Sequence, residues 1–182
     1  MKMRRAKKKP ARPAVVSAPE SGLLARQVGE ALTQHGMTLV TAESCTGGGV
    51  AQAITRISGS SAWFDRGFVT YSNESKEEML GVSPETLEQY GAVSEATVRE
   101  MADGAMQYSR AKVALSVSGI AGPTGGTPQK PVGTVWFAWA TGDNVQTACH
   151  QLPGDRDAIR AKAVQISLQG VINLLNGITK TA

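Results

Sequence analysis

The chain has 182 residues, 41% of them hydrophobic, which is enough for one ordinary domain with a buried core. It contains no apolar run long enough to cross a bilayer, and its two cysteines, Cys45 and Cys149, have neither metal-ligand spacing nor a disulfide pattern. These features argue against a membrane protein and a disulfide-stabilised secreted domain. We therefore expect an α/β protein of the cytoplasm.

The formal net charge of +4 is concentrated at the N-terminus. The first 13 residues, MKMRRAKKKPARP, carry seven Lys or Arg side chains and no acidic one, and they lack the apolar segment of a signal peptide. We predict that residues 1–20 form a disordered basic tail and that residues 21–182 form the folded domain. The tail could contact RNA or acidic partners. The domain shows no interleaving of aromatic and basic residues, so we expect no nucleic-acid binding by it.

The first half of the chain predicts helices alternating with strands. Ser21 is a candidate N-cap of a first helix that Gly36 ends. The following run, LVTAESCTGGG, begins at Leu39 and predicts a strand, a tight turn rich in glycine and the start of a helix. A second strand is predicted from Gly67 to Tyr71, and a short helix begins near Asn73.

The second half continues the alternation and ends with a hairpin. Its predicted elements are, in order, a short helix from Pro84 to Tyr90, a longer helix capped by Ser94, a buried strand from Val113 to Val117, a long loop from Ser118 to Gly133, strands from Thr134 to Thr141 and from Val145 to Leu152, and a last helix capped by Asp155. This order predicts a mixed sheet between helix layers. Loops as long as the one before Thr134 are often functional.

Two potential nucleophiles, Ser44 and Cys45, lie in the turn after the first strand. A helix N-terminus offers unpaired N–H groups, so an oxyanion site is within reach of either side chain. The alternative is a turn that holds an anion without chemistry. Neither a dinucleotide-binding, a P-loop nor a GxSxG pattern is present, so the turn alone does not decide between the two.

Histidine chemistry is poorly supported. His35 falls at a predicted helix end, and His150, beside Cys149, falls in a predicted strand where a structural role is the usual one. A nucleophile in the turn would then need a lysine or a tyrosine as its base.

Lys76 and Tyr71 are the candidates for that base. Lys76 is predicted in the first turns of a helix, where the helix dipole and burial in a cleft would both lower its pKa. Neighbouring glutamates oppose this effect if they face the same side, and an ordinary surface lysine is the alternative. Tyr71 ends the second strand and could relay a proton or hold the amine, or it could be a core aromatic.

Several motifs, taken together, resemble the CinA C-terminal domain family over the chain from Ser21 onward. They are TAESCTGG, GSSAWFDRGFVTYSNESK, GAVSE, SGIAGPTGG, KPVGTVWFA and GDRDAIR. The resemblance implies a three-layer α/β/α fold with a mixed β-sheet. Because the stand-alone members deamidate nicotinamide mononucleotide, it also implies an amidohydrolase of pyridine nucleotide metabolism. The reaction would give nicotinic acid mononucleotide and ammonia, with no metal and no cofactor.

The resemblance also implies roles for the candidate residues. Ser44 would be the nucleophile, Lys76 its base and Tyr71 an assisting group. N–H groups near Cys45, Thr46 and Gly47 would hold the oxyanion. Cys45 remains a rival nucleophile on chemistry alone, because a thiol is intrinsically the more reactive group.

Substrate binding requires a site for the nucleotide phosphate. Glycines give backbone access and an arginine gives a bidentate fork. The candidates are Gly48, Gly119, Gly122, Thr124 and Arg156. Their alternatives are a structural turn and a surface ion pair of Arg156 with a neighbouring aspartate.

Two other functions remain open from the sequence. The domain could be a non-catalytic nucleotide-binding module, or a competence- or DNA-damage-associated module. We expect a homodimer in each case, as is common for small α/β proteins of this kind.

Overall fold

The computed structural model describes residues 18–142 and 144–178. The helices are α1 (Ala18–His35), α2 (Gly49–Thr55), α3 (Asn73–Leu80), α4 (Pro84–Tyr90), α5 (Glu95–Gln107) and α6 (Arg156–Ile178). The strands are β1 (Leu39–Glu43), β2 (Phe64–Val69), β3 (Val113–Gly119), β4 (Thr134–Thr141) and β5 (Asn144–Gln151), and a short 3₁₀ turn covers Ser60–Ala62.

The five strands form one mixed sheet in the order β2-β1-β3-β4-β5. β1 runs parallel to both of its neighbours, and the hairpin of β4 and β5 extends the sheet in antiparallel fashion. In this register Glu43 at the end of β1 lies opposite Val69 and Val117. The carboxyl ends of three neighbouring strands therefore meet at one edge of the sheet.

Alternating side chains of the sheet enter two separate cores. Leu39, Leu115 and Phe137 pack on one face with apolar side chains of α1, α2 and α6. Val40 and Ala114 pack on the other face with α5 and with Leu80 of α3. A sheet covered on both faces needs near-continuous apolar strands, as β1 and β3 are. The predicted three-layer α/β/α fold is confirmed.

Four helices begin at a serine or aspartate whose side chain caps the first turn. Ser72, Ser83 and Ser94 each accept a hydrogen bond from the N–H three residues later, and Asp155 accepts one from Ala158. The first helix, however, begins at Ala18, so that Ser21 lies within it and is not its N-cap. The prediction of a disordered tail concerns mainly residues 1–17, which lie outside the described residues.

The second strand begins and ends earlier than predicted, at Phe64 and Val69. Its extent is set by the pairing with β1, in which Leu39 lies opposite Phe64 and Glu43 opposite Val69. Trp63, just before this strand, lies in the core, with 6% of the residue exposed. In the part of the chain that the structure describes, no helix has the length and apolar character that crossing a membrane requires.

Candidate active site

Ser44 lies at the sheet edge where the three parallel strands end. Its N–H donates to the Val117 carbonyl of β3 at 3.0 Å, and the carbonyl of Glu43 accepts from the Thr70 N–H, after β2, at 2.8 Å. The peptide that carries Ser44 is thus held by both neighbouring strands. The residue is 7% exposed, so its hydroxyl is fixed at the border of the interior.

Lys76 reaches this serine from α3, 32 positions later in the chain. The helix begins at Asn73 behind its Ser72 cap, which places Lys76 in the first turns, as predicted. The Nζ atom of Lys76 lies 3.2 Å from Ser44 Oγ. Only 1% of Lys76 is exposed, so the surface alternative for this residue is wrong.

Three backbone carbonyls complete the surroundings of the Lys76 amine. Nζ donates to the carbonyl of Thr70 at 2.8 Å, of Ser72 at 3.3 Å and of Tyr71 at 3.4 Å. The ion pairs among the described residues are Arg66–Asp65 and Arg99–Glu95, so no carboxylate there pairs with Lys76. The amine is held by neutral oxygens alone.

Burial lowers the pKa of Lys76 below its ordinary value of 10.5. Desolvation is the largest cause, because removing an ammonium from water disfavours the charged form. Cys45 and Glu74 act in the opposite direction but do not reverse the shift. A lowered pKa favours the neutral amine that a general base requires.

Cys45 is a poor nucleophile where it lies. Its side chain packs in the apolar core beneath α2 and α6 and is 5% exposed. Burial, with a smaller contribution from the charge of Glu43, raises the pKa of the thiol to about 12. Since the thiolate is the reactive form, this environment favours Ser44 over Cys45.

The turn after Ser44 keeps two consecutive amides free. The Gly47 N–H donates to the Ser44 carbonyl at 3.0 Å, and the Gly49 N–H donates to the Thr46 carbonyl at 3.1 Å. Among the described residues, the backbone N–H groups of Cys45 and Thr46 have no backbone acceptor, and the Cys45 N–H contacts its own thiol. Of the three predicted oxyanion donors, Gly47 is therefore engaged within the turn, whereas Cys45 and Thr46 are available.

Glu43 occupies the N-terminus of α2, a role that our sequence analysis missed. Its carboxylate, which is fully buried, accepts from the N–H groups of Val50 and Ala51 at 3.0 and 2.8 Å and from the Thr46 hydroxyl at 2.7 Å. The helix therefore carries its own anion, and these amides are not open to a bound phosphate. The position of this carboxylate, between a predicted buried strand and a turn rich in glycine, could have indicated its role in the sequence.

Tyr71 and Arg156 form a second group near the same edge. The Tyr71 side chain is exposed, and its phenol oxygen accepts from Arg156 Nη2 at 3.1 Å. Arg156 Nη1 donates to the carbonyl of Gly122 at 2.9 Å. Arg156 thus joins Tyr71 to the long loop, and the alternative of a surface ion pair with a neighbouring aspartate is not observed. Tyr71 contacts Lys76 through its backbone carbonyl.

Three other predicted binding residues lie at the end of β3, in the loop after it and before α2. Gly119 is the last residue of β3, and Thr124 is exposed in the loop that follows. Gly48 precedes α2 with a φ of 89°, a conformation that favours glycine. Their part in substrate binding stays a prediction.

Arg160 is a further residue that the sequence analysis missed. Its Nε donates to the Cys45 carbonyl and its Nη2 to the Thr46 carbonyl, both at 3.1 Å. It lies one helical turn after Arg156, and this spacing of four residues places both on one face of α6. In the local sequence, this spacing from Arg156 was the only feature that could have indicated a role for Arg160.

A cavity of about 310 Å³ opens beside the turn, between the start of α1, the helix α2 and the first half of α6. Thr46, Arg56 and Arg160 are among its lining residues, whereas Ser44 and Lys76 are not. The cavity is thus adjacent to the Ser44–Lys76 pair and separate from it.

His150 lies far from this site. His150 is exposed on β5, three strands from β1, a separation of about 14 Å at the usual strand spacing. Its ring packs edge-on against Phe137. Among the described residues, no group of three His, Cys, Asp or Glu side chains is placed to hold a metal ion.

Comparison with known proteins identifies the family. Residues 22–175 match the CinA C-terminal domain. The chain belongs to the CinA C-terminal domain family. This confirms the family that the sequence motifs indicated.

Several known proteins are closely similar to this chain. The nicotinamide-nucleotide amidohydrolase PncC of Escherichia coli K12 is 60% identical over 80% of this chain and 89% of the relative. The protein of the same name from Pseudomonas putida is 51% identical over 83% and 94%. The crystal structure of a CinA superfamily protein from Klebsiella pneumoniae superposes with a TM-score of 0.84 at 40% identity, covering 86% of this chain and 98% of that one.

Proposed function

We propose that this protein hydrolyses the carboxamide of nicotinamide mononucleotide to nicotinic acid mononucleotide and ammonia by a Ser/Lys mechanism. The similarity to proteins named nicotinamide-nucleotide amidohydrolase supports the substrate and the reaction. The observation that carries the mechanism is the buried amine of Lys76, 3.2 Å from Ser44 Oγ and without a carboxylate partner among the described residues.

Acylation begins with proton transfer from Ser44 to the neutral amine of Lys76. As the Oγ–C bond forms, the carboxamide oxygen takes up negative charge and accepts hydrogen bonds from the amides of Cys45 and Thr46. The new ammonium stays bound to the carbonyls of Thr70, Tyr71 and Ser72. It then gives its proton to the departing nitrogen, the C–N bond breaks, and ammonia leaves an acyl-serine.

Deacylation repeats these steps with water. Lys76, neutral again, takes a proton from water as its oxygen attacks the acyl carbon. The same two amides hold the second oxyanion. The bond to Ser44 breaks, Lys76 returns the proton to Oγ, and the acid product leaves. One base thus serves both halves of the reaction.

Arg156 is the proposed phosphate ligand. Its guanidinium is exposed and held by two neutral acceptors, the Tyr71 phenol and the Gly122 carbonyl. A phosphate dianion accepts stronger, charge-assisted hydrogen bonds than either of them. Amides of the loop after Gly119 would add backbone donors, except those of Ile120, whose N–H already binds the Thr134 carbonyl, and Pro123, which has no N–H. Tyr71 would assist through its phenol, which binds Arg156, and through its backbone carbonyl, which accepts from Lys76 Nζ.

Ammonia release from nicotinamide mononucleotide by the purified protein tests the proposal. We expect Ser44→Ala and Lys76→Met to lose at least about 10²-fold in kcat, as is typical when a nucleophile or general base is removed. Lys112→Met, which removes an exposed lysine before β3, is the matched control and should keep full activity. Circular dichroism and melting temperature show whether each variant is folded.

Two results would contradict this assignment. Full activity in Ser44→Ala together with none in Cys45→Ala would move the nucleophile to the thiol. Tight binding of the nucleotide by the unaltered protein without ammonia release would favour a non-catalytic binding module. The homodimer, the cytoplasmic location and any contact of the basic tail with nucleic acid remain predictions from the sequence.

A further inference from the structure

Arg160 of α6 contacts the turn that follows Ser44. Its two donors, Nε and Nη2, bind the carbonyls of two consecutive residues, Cys45 and Thr46, at 3.1 Å each. The same guanidinium lies against Gly47, where an added Cβ would be 3.5 Å from Nη2. No hydrogen bond joins Arg160 to Ser44 or Lys76 in the described structure. The hydrogen bonds of Arg160 to the turn are all to backbone carbonyls.

Peptide geometry links these carbonyls to the free amides. In a planar trans peptide the carbonyl of one residue and the N–H of the next point in opposite directions. The bond from Arg160 to the Cys45 carbonyl therefore fixes the direction of the Thr46 N–H. The Cys45 N–H is fixed in the same way, because the preceding Ser44 carbonyl accepts from Gly47.

The turn needs such a restraint because of its composition. Gly47 and Gly48, with φ angles of 59° and 89°, can rotate their peptide planes at little steric cost. Glu43 holds this segment at the Val50 and Ala51 amides and at the Thr46 hydroxyl, and the Thr46 carbonyl accepts from Gly49. None of these bonds involves the Cys45 carbonyl. Without Arg160, the Cys45–Thr46 peptide would keep no other backbone or side-chain partner among the described residues for its carbonyl.

We propose that Arg160 is a positioning residue, which orients the Thr46 amide as an oxyanion donor by holding the Cys45 carbonyl. Its second hydrogen bond, to the Thr46 carbonyl, fixes the guanidinium against the turn. The proposal rests on the hydrolase function proposed above. Arg160 then acts on the transition state and not on the bound substrate, because the oxyanion exists only after Oγ attacks. Its removal should lower kcat and leave KM unchanged.

Arg160→Met and Arg160→Lys test this role, with Arg56→Met as the matched control. Arg56 lines the same cavity, and its side chain makes no hydrogen bond to the turn in the described structure. We expect kcat of Arg160→Met to fall about 10²-fold, the usual effect of losing one oxyanion donor. Arg160→Lys should lose less, because an ammonium can replace one of the two hydrogen bonds. Arg56→Met should keep the kcat of the unaltered protein.

Two further measurements separate positioning from a general structural effect. The pH at which activity is half lost on the acid side should be the same with and without Arg160, since this limb reports Lys76. Binding of nicotinamide mononucleotide should be equally tight in the single variant Ser44→Ala and in the double variant that adds Arg160→Met. A raised KM with unchanged kcat would instead place Arg160 on the substrate and overturn the proposal.

The role can be tested even if the substrate assignment fails. A fluorophosphonate reacts with an activated serine without the nucleotide: Oγ forms the P–O bond, fluoride leaves, and Lys76 takes the hydroxyl proton. Mass spectrometry gives the rate at which Ser44 is modified. We expect Arg160→Met to react about 10²-fold more slowly than Arg56→Met. Equal rates would overturn the positioning role, whereas absence of ammonia release from the unaltered protein would overturn only the proposed reaction. If Arg160→Met does not fold, Arg160→Lys carries the same comparison.

Discussion

The amine of Lys76 has four oxygen neighbours, and only the Ser44 hydroxyl among them can give it a proton. A neutral amine has two hydrogens and one lone pair. Two of the three carbonyls can accept these hydrogens, which leaves the lone pair for the Ser44 hydroxyl. After proton transfer, the ammonium has three hydrogens for three carbonyls. The surroundings of Lys76 thus suit both protonation states that the proposed mechanism needs.

The pH dependence of the reaction follows from the lowered pKa of Lys76. The base works only when neutral, so kcat/KM should rise with pH through this pKa and be lost as the pH falls below it. Because burial lowers the pKa, the midpoint should lie below the ordinary value of 10.5. Initial rates across pH measure it. Glu74→Gln removes an exposed carboxylate that raises the pKa, so its midpoint should shift further down. A midpoint at or above the ordinary lysine value would contradict a desolvated base.

At the scale of elements, α2 depends on a residue outside it. Its N-cap, Gly48, has no side chain to accept a hydrogen bond. Glu43, the last residue of β1, performs this function through two oxygens and also binds the Thr46 hydroxyl. One carboxylate thus connects the strand, the turn and the helix. The helix dipole favours a negative charge at this position.

Glu43→Gln should lower the free energy of unfolding by about 1–3 kcal/mol, since hydrogen bonds to a charged acceptor are the stronger ones and an amide NH₂ would face backbone donors. Urea unfolding monitored by circular dichroism measures the change. The control is Glu30→Gln, an exposed carboxylate on α1, which should remain within about 0.5 kcal/mol. Equal unfolding midpoints for the two variants would show that the carboxylate does not stabilise α2.

At the scale of the whole molecule, the site depends on how α6 lies on the sheet. The first turns of this helix carry Arg156 and Arg160 to the edge of the sheet where Ser44 lies. Farther along, Gly170 packs against the indole of Trp139 on β4, and the Trp139 N–H donates to the Ser167 carbonyl at 2.8 Å. The close approach at Gly170 fixes the distance between α6 and the sheet.

Gly170→Ala should therefore destabilise the fold, because the added methyl group would overlap the Trp139 ring. Overpacking of this kind costs about 1–3 kcal/mol. Differential scanning calorimetry should show a lower melting temperature. Gly22→Ala on α1 is the control, since nothing lies within 4 Å of its added Cβ. An unchanged melting temperature for Gly170→Ala would mean that α6 can move away from the sheet without loss.

Local patterns explain why much of the fold could be predicted. The serine caps of α3 and α5 and the Asp155 cap of α6 depend on contacts within about four residues, which a sequence window contains. The ends of β2 were predicted less accurately, because the extent of this strand is set by its pairing with β1 and not by its own residues. The start of α1 was missed because Ser21 is a good cap that the helix does not use.

The sequence by itself determined the family, the alternation of helices and strands, and Ser44 and Lys76 as candidate residues, because each depends on residue type and short-range order. Only the tertiary structure decided that Lys76 is buried at hydrogen-bond distance from Ser44, that the phenol of Tyr71 lies on Arg156, 85 positions away, and that Arg160 holds a turn more than 110 positions before it. The physical reason is that strand order and helix packing bring distant segments to one edge of the sheet. Burial at that edge, and with it the pKa of an amine, is a property of all those segments together.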